Sequence, residues 1–355
     1  MQTKSDCLFW KKKEFISFIL SILVFFIHSY FAQDSGDTFI AIFNHKISFF
    51  LSCSITQFAV PMFFMLSGIS FFKGYENSKY LSKMRSRIFT LVIPYLLWNT
   101  LWMLWDIFCS YSFLSKFSAA SEPFPLTLTG ILKGVFFYGC NTPFWFMFDL
   151  IIFCLAAPAV FLIIKNKYVA VVSIVGLSVL SLFGIHVPTN LFYSPHSVIF
   201  YLIGAAVGYH CFDFISQKAS KGMQWGCVAF LALYILLKNI IPQEMHIDNY
   251  LAEVITFTLC AFALWNTVDI FIESIKPRPI YRRSFAIYAM HLNVAIIVLK
   301  VLSLLLPQSP WLEIPKFAIM VCATLVSINY VCAFLERFLP KIYGILMGSR
   351  TGTTQ

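Results

Sequence analysis

The sequence predicts an all-α integral membrane protein, a bundle of about ten transmembrane helices with the N- and C-termini cytoplasmic. Three observations predict it. Of the 355 residues, 59% are hydrophobic and only 12% charged, with a mean hydropathy of +0.78; a soluble domain carries about 25% charged residues. Apolar runs of bilayer-crossing length, about 18–25 residues, recur near 14–31, 55–73, 88–108, 143–164, 168–185, 196–212, 224–241, 250–272, 284–306 and 314–335. The third observation is where the basic residues fall between those runs.

Lys46, Lys116, Lys133, Lys238, Lys300 and Lys316 lie in or beside one set of loops; the other 20 of the 26 Lys and Arg lie on the opposite side. They include Lys11–Lys13 ahead of the first run, Lys73 to Arg87 after the second, and Lys276 to Arg283 before the ninth. Basic residues concentrate on the cytoplasmic side of short loops, so the formal net charge of +10 is mostly topology. It calls for no nucleic acid, and a lysine-rich inner face suits anionic lipid headgroups.

Each element follows from that frame. The first run lacks a small-x-small cleavage pattern, so a retained helix is expected rather than a signal peptide. Residues 1–340 read as one transmembrane domain and 341–355 as a short cytoplasmic tail. The longest outer loops are 32–54 and 109–142, the second carrying Ser121-Glu-Pro-Phe-Pro125. Trp98, Trp102, Trp105 and Trp145 fall towards the outer ends of their helices, where interfacial aromatics belong. The 10 cysteines include no C-x-x-C pair, so no metal site is predicted. Cys109 and Cys140 flank the same outer loop, and a disulfide between them is left open. The absence of G-x-x-x-x-G-K-[ST] argues against an ATP-driven pump.

An ionisable side chain at mid-bilayer costs roughly 2.5–3.5 kcal/mol or more, which singles out His28, Asp106, Asp149, Glu253, His291 and Lys300. His28 lies about 21 Å along the first helix from Glu14, at about 1.5 Å per residue, in the outer third of the bilayer. A neutral imidazole can take a proton from a hydroxyl and return it; a structural hydrogen bond to a neighbouring helix is the other reading. Asp149 lies at similar depth in Asn141-Thr-Pro-Phe-Trp-Phe-Met-Phe-Asp149 and could orient His28 or bridge to another helix. Helix 2 carries Val60-Pro-Met-Phe-Phe-Met-Leu-Ser-Gly-Ile69, whose Ser67 and Gly68 serve as a packing notch or a place where backbone meets a ligand. Arg85 and Arg87 could grip phosphates with planar forks of donors, or simply mark topology. Tyr288 and His291, three residues apart in Ser284-Phe-Ala-Ile-Tyr-Ala-Met-His291, share one helix side.

These stretches, in this order, resemble the acyltransferase-3 family of bacterial multi-pass membrane proteins. The resemblance rests on a histidine late in helix 1, P-x-F-F-x-x-S-G, an arginine leading into L-x-I-P-Y-L-L-W, P-x-W-F-x-x-D-L and S-F-x-I-Y-x-x-H. Tyr201-Leu-Ile-Gly204 also looks like the family's aromatic-x-x-Gly segment. Together they span about 28 to 291, and the order and topology are more specific than any single motif. Two positions depart from the family pattern: Ser17 and Phe148 stand where many members carry arginine, which bears on how a negative donor is balanced.

The resemblance implies transfer of an acyl group, most often acetyl from cytoplasmic acetyl-CoA, to a hydroxyl of a cell-envelope or exopolysaccharide sugar or a lipid-linked saccharide. It implies His28 as general base or acyl relay with Asp149 beside it. It places Arg85 and Arg87 at the CoA phosphates, Phe63, Phe64, Ser67 and Gly68 along the acyl path, and Trp145, Tyr288 and His291 towards the acceptor. Membrane lipids are expected partners, a homo-oligomer is compatible with the sequence, and the bacterial inner membrane is the implied location. The rival readings are a transporter or flippase of a lipid-linked sugar, which predicts an inverted repeat that is not visible, and a catalytically silent relative. The acceptor sugar, its hydroxyl and the acyl chain are not encoded in any motif.

Overall fold

The computed structural model of the chain describes residues 4–29, 31, 38–112, 114–115, 122–183, 195–241 and 249–348. Lys116, Arg350, much of loop 32–54 before residue 38 and the tail beyond 348 lie outside the described residues. Among the described residues fifteen α-helices exceed one turn and a half. They are α1 (Lys4–Ile27), α2 (Phe39–Phe49), α3 (Ala59–Phe72), α4 (Tyr80–Arg87), α5 (Ile93–Ser110), α6 (Leu128–Phe136), α7 (Trp145–Leu155) and α8 (Ala157–Ile164). The rest are α9 (Lys167–Leu182), α10 (Pro195–His210), α11 (Lys221–Ile240), α12 (Tyr250–Thr267), α13 (Ser284–Leu305), α14 (Glu313–Phe338) and α15 (Pro340–Leu346). Side-chain oxygens start five of them: Thr38 caps α2, Thr127 α6, Asn166 α9, Ser220 α11 and Asn249 α12, each accepting from a backbone N–H of the first turn. Those N–H groups have no partner within the helix, which is why Ser, Thr and Asn sit there.

Among the described residues six helical runs are long and apolar enough to cross a membrane: Phe39–Phe72, Asn77–Ser110, Lys221–Ile240, Tyr250–Ile270, Ser284–Leu305 and Pro310–Phe338. Thr142–Leu155 with Ala157–Ile164, bent by 70°, makes a seventh if counted as one span. The protein is therefore a multi-pass membrane protein, by a coarser count than the ten predicted spans. Of the other predicted runs, the first is the part of α1 that follows Lys11–Lys13, and α9 and α10 have 16 residues each.

The sequence expected loop from 32 to 54, yet residues 39–49 are helix and run through a π turn at Phe50–Ser54 towards α3. Asn44, His45 and Lys46 disguised that helix. Asn44 is buried and donates to Pro310 O at 2.7 Å and Glu313 Oε2 at 2.9 Å. The single span expected at 143–164 is broken after Leu155, because Pro158 has no N–H to give and its ring clashes with the preceding turn.

The chain divides into two compact units: unit 1, Met1–Leu23, Ser54–Arg85 and Asp149–Tyr281; unit 2, Val24–Cys53, Ser86–Phe148 and Arg282–Gln355. The divisions at 23 and 148 fall inside α1 and α7.

Unit 1 is organised on the seam between α3 and α10. A Cβ added to Gly68 would lie 2.6 Å from Tyr201 O, one on Gly208 would lie 2.5 Å from Ile69 O, and one on Gly204 would overlap Met65 O. Small residues let the two backbones meet, the device membrane helices use where lipid offers no hydrophobic drive to associate. Phe153 stacks on Tyr201 at 4.5 Å and meets Phe64 at 5.8 Å beside that seam. Lys83 donates to the carbonyls of Phe71 and Lys73, closing the end of α3 before Gly74 turns the chain with φ +56°.

Unit 1 also buries an ion pair. Lys12 and Asp269 are both 0% exposed and 2.9 Å apart, with the ammonium 4.5 Å from the Trp265 ring centre and Ala219 N–H donating to Asp269 Oδ2 at 3.0 Å. The sequence counted Lys12 only among the basic residues of the inner side; the structure gives it a buried partner. A fully buried ammonium is tolerable because carboxylate and ring face compensate it.

Unit 2 is tied by side-chain donors reaching helix carbonyls. Trp98 Nε1–H donates to Leu346 O at 3.1 Å, Trp102 Nε1–H to Ala289 O at 3.0 Å, and Tyr95 O–H to Phe136 O at 2.7 Å. Arg283, at the start of α13, donates to Asn329 O at 3.1 Å and to Glu336 at 2.9 Å, and is buried. Phe25, Ala295, Leu302, Phe317 and Met320 form an apolar cluster between α1, α13 and α14.

Candidate functional site

The predicted residues divide between the units. Phe63, Phe64, Ser67, Gly68, Arg85 and Asp149 belong to unit 1; His28, Arg87, Trp145, Tyr288 and His291 belong to unit 2.

In unit 2 the structure brings two histidines together. His28 follows the last residue of α1 and is exposed, while the next residue, Ser29, folds its hydroxyl back to Phe25 O at 2.7 Å. The His28 and His291 ring centres are 5.5 Å apart and tilted by 37°. His291 is 1% exposed, with the Phe25 ring 5.8 Å away. Its Nδ1 faces two carbonyl oxygens of its own helix, Tyr288 O at 2.8 Å and Ile287 O at 3.1 Å. Carbonyls only accept, so Nδ1 carries the hydrogen and the neutral ring presents a lone pair at Nε2. That Nε2 is buried without a hydrogen-bond partner.

Tyr288 is held on the same face. Its hydroxyl donates to Pro143 O, and its ring lies parallel to Phe144 (1°) with centres 5.4 Å apart. The next carbonyl, Ala289 O, accepts from Trp102 and from Asn141 Nδ2 at 3.5 Å. Three consecutive carbonyls, 287 to 289, are thereby each engaged by a side chain, which fixes the backbone under His291. Trp145 is half-buried with its ring 6.5 Å from Phe146.

In unit 1, Phe63 and Ser67 are half-buried, four residues apart on one side of α3, and Ser70 one turn on accepts from Lys13 Nζ at 2.7 Å. Phe64 and Gly68 face the other way: Phe64 is buried against Phe153, and Gly68 takes the packing role. Asp149 is fully buried. Arg85 is exposed and Arg87 half-exposed, both on α4. At about 100° per residue they point to opposite sides of the helix, so the two do not form one fork for phosphate.

The acyltransferase domain family matches the chain over residues 15–330. The chain belongs to the acyltransferase-3 family. No curated protein and no solved structure matches it. The matched range of this acyltransferase contains every predicted site residue, from His28 to His291, and both positions that depart from the family pattern. At one of them, Phe148 packs among the rings of Tyr138 (5.8 Å), Phe137 (5.9 Å) and Tyr95 (6.4 Å). An aromatic box occupies that place. Ser17 O accepts from Ser21 Oγ at 2.8 Å within α1.

Cys109 and Cys140 are both free thiols, so the disulfide left open by the sequence is not formed. Burial, then the charge of Asp106 and a hydrogen bond to it, push the Cys140 thiol up to about 12. Among the described residues no group of three His, Cys, Asp or Glu side chains could hold a metal ion.

Sequence reasoning missed Asp269, Trp102 as an anchor for the α13 backbone, and the pairing of His28 with His291. Only the last had a signal, two histidines in apolar helices, but their partnership spans most of the chain.

Proposed function

We propose that this acyltransferase moves an acetyl group from cytoplasmic acetyl-CoA to a hydroxyl of a cell-envelope or exopolysaccharide sugar, in the bacterial inner membrane, with both termini cytoplasmic. The observation that carries the reading is His28, an exposed imidazole at the end of an apolar helix, within the range matched by the family. It acts as general base: it takes the acceptor hydroxyl proton as the oxygen attacks the thioester carbonyl, the C–S bond breaks, and the proton passes to the CoA sulfur. Neither carbonyl nor thiolate needs a metal in this scheme.

Charged CoA stays on the inner side. Arg85 is offered for its phosphates, the Phe63 and Ser67 side of α3 for its pantetheine arm, and Trp145, Tyr288 and His291 for the acceptor side, with Asp149 kept as a further buried carboxyl group of the proposed machinery. Membranes carrying the protein, given acetyl-CoA labelled in the acetyl group and glycan acceptors, should place alkali-labile label on glycan. Membranes lacking it should not. Glycan that moves across the bilayer without CoA and acquires no label would contradict the enzyme reading and favour a transporter.

A further inference from the structure

His291 has two features that do not both follow from packing. A histidine kept only to tie helix carbonyls uses one ring nitrogen, and Nδ1 does that here against Ile287 O and Tyr288 O. The second nitrogen could then be replaced by carbon at no loss. Instead Nε2 is a buried lone pair without a partner, in a ring 5.5 Å from that of His28. Two imidazoles joined nitrogen to nitrogen at about 2.9 Å have centres roughly 5 Å apart, the nitrogen lying just over 1 Å from each centre. The observed separation of the centres is close to that of such a bond, and His28, the exposed ring, is the one that turns to make it.

We propose that His291 is a positioning residue for His28: its Nε2 accepts a hydrogen bond from the N–H of the His28 ring and holds that ring for proton transfer. The proposal rests on the reading of His28 as base. When His28 takes the acceptor hydroxyl proton, both its nitrogens carry hydrogen; one faces the acceptor oxygen and the other points to His291. The proton leaves His28 for the CoA sulfur once the C–S bond has broken, and His291 gains and loses nothing. The carboxylate of a catalytic triad orients its histidine in the same way; here a neutral ring does it, its tautomer fixed by the α13 backbone. Trp102 and Asn141, both bonded to Ala289 O, hold that backbone in turn.

The test compares His291→Asn with His291→Gln in the purified full-length protein. Asn places an amide N–H where Nδ1–H lies and keeps the tie to the carbonyls, but offers no acceptor at the Nε2 position. Gln reaches that position with its Oε1 and loses the tie. Positioning predicts that Asn lowers kcat by about 10²-fold, within the range of general acid–base contributions, with KM for acetyl-CoA unchanged. Gln should then recover at least about tenfold of that loss. In a His28→Ala background His291→Asn should lower kcat no further, because two groups that act as one unit are not additive. Asn equal to wild type, or better than Gln, would overturn the proposal and leave His291 a structural residue. A fully active His28→Ala variant would instead overturn the base reading beneath it, so the two failures are distinct.

Discussion

Unit 1 and unit 2 hold their helices together by different means. In unit 1, Gly68, Gly204 and Gly208 bring α3 and α10 into backbone contact, with no space for a single added carbon. In unit 2, indole, phenol and guanidinium donors reach across to carbonyls, as Trp98, Trp102, Tyr95 and Arg283 do. The first mode sets one backbone against the other at the glycines and fixes helix position by steric fit. The second fixes individual carbonyls and thereby the direction of individual rings, His291 above all. A backbone seam suits a scaffold, and a lattice of directed hydrogen bonds suits a site where one nitrogen must point one way.

The ion pair of unit 1 gives the largest effect. Asp269→Ala leaves Lys12 buried and uncompensated and is expected to cost about 3–5 kcal/mol, read as a lower unfolding midpoint in detergent. Lys12→Met with Asp269→Leu should recover most of it. Gly204→Leu comes next, at about 3 kcal/mol from overpacking, while Gly222→Leu on α11, where an added Cβ meets nothing within 4 Å, should be neutral. If the two glycine variants behaved alike, the steric account of the α3–α10 seam would fail.

For unit 2 the expected stability effects are smaller. Trp102→Phe keeps an aromatic ring but removes the donor to Ala289 O, and should cost about 1 kcal/mol, with a larger loss in kcat than in stability. The smallest is chemical. With its thiol pushed up to about 12 by burial and Asp106, Cys140 stays protonated at pH 8 and should react with a maleimide far more slowly than exposed Cys7. Asp106→Asn should quicken it.

Much of the fold was legible in the sequence because burial in lipid demands long apolar runs, and α11 to α14 stand where those runs predicted. The α2 helix was not, since Asn44, His45 and Lys46 look like a loop until Pro310 O and Glu313 receive the Asn44 amide. Lys12 could not be told from its neighbours Lys11 and Lys13, because its partner Asp269 is 257 positions away. At the site, ionisable residues in apolar helices pointed to His28, Asp149 and His291 through the cost of putting them there. Spacing could not show that Gly68 serves the α10 seam or that His28 meets His291. Those follow only from which helix faces which.

The central claim is that His28 does the proton transfer, and the most direct test is kcat of purified His28→Ala with labelled acetyl-CoA and a glycan acceptor. The account predicts a fall of about 10²–10⁴-fold, with membrane insertion and unfolding midpoint unchanged because the side chain is exposed. Wild-type kcat from a correctly inserted His28→Ala protein would contradict it.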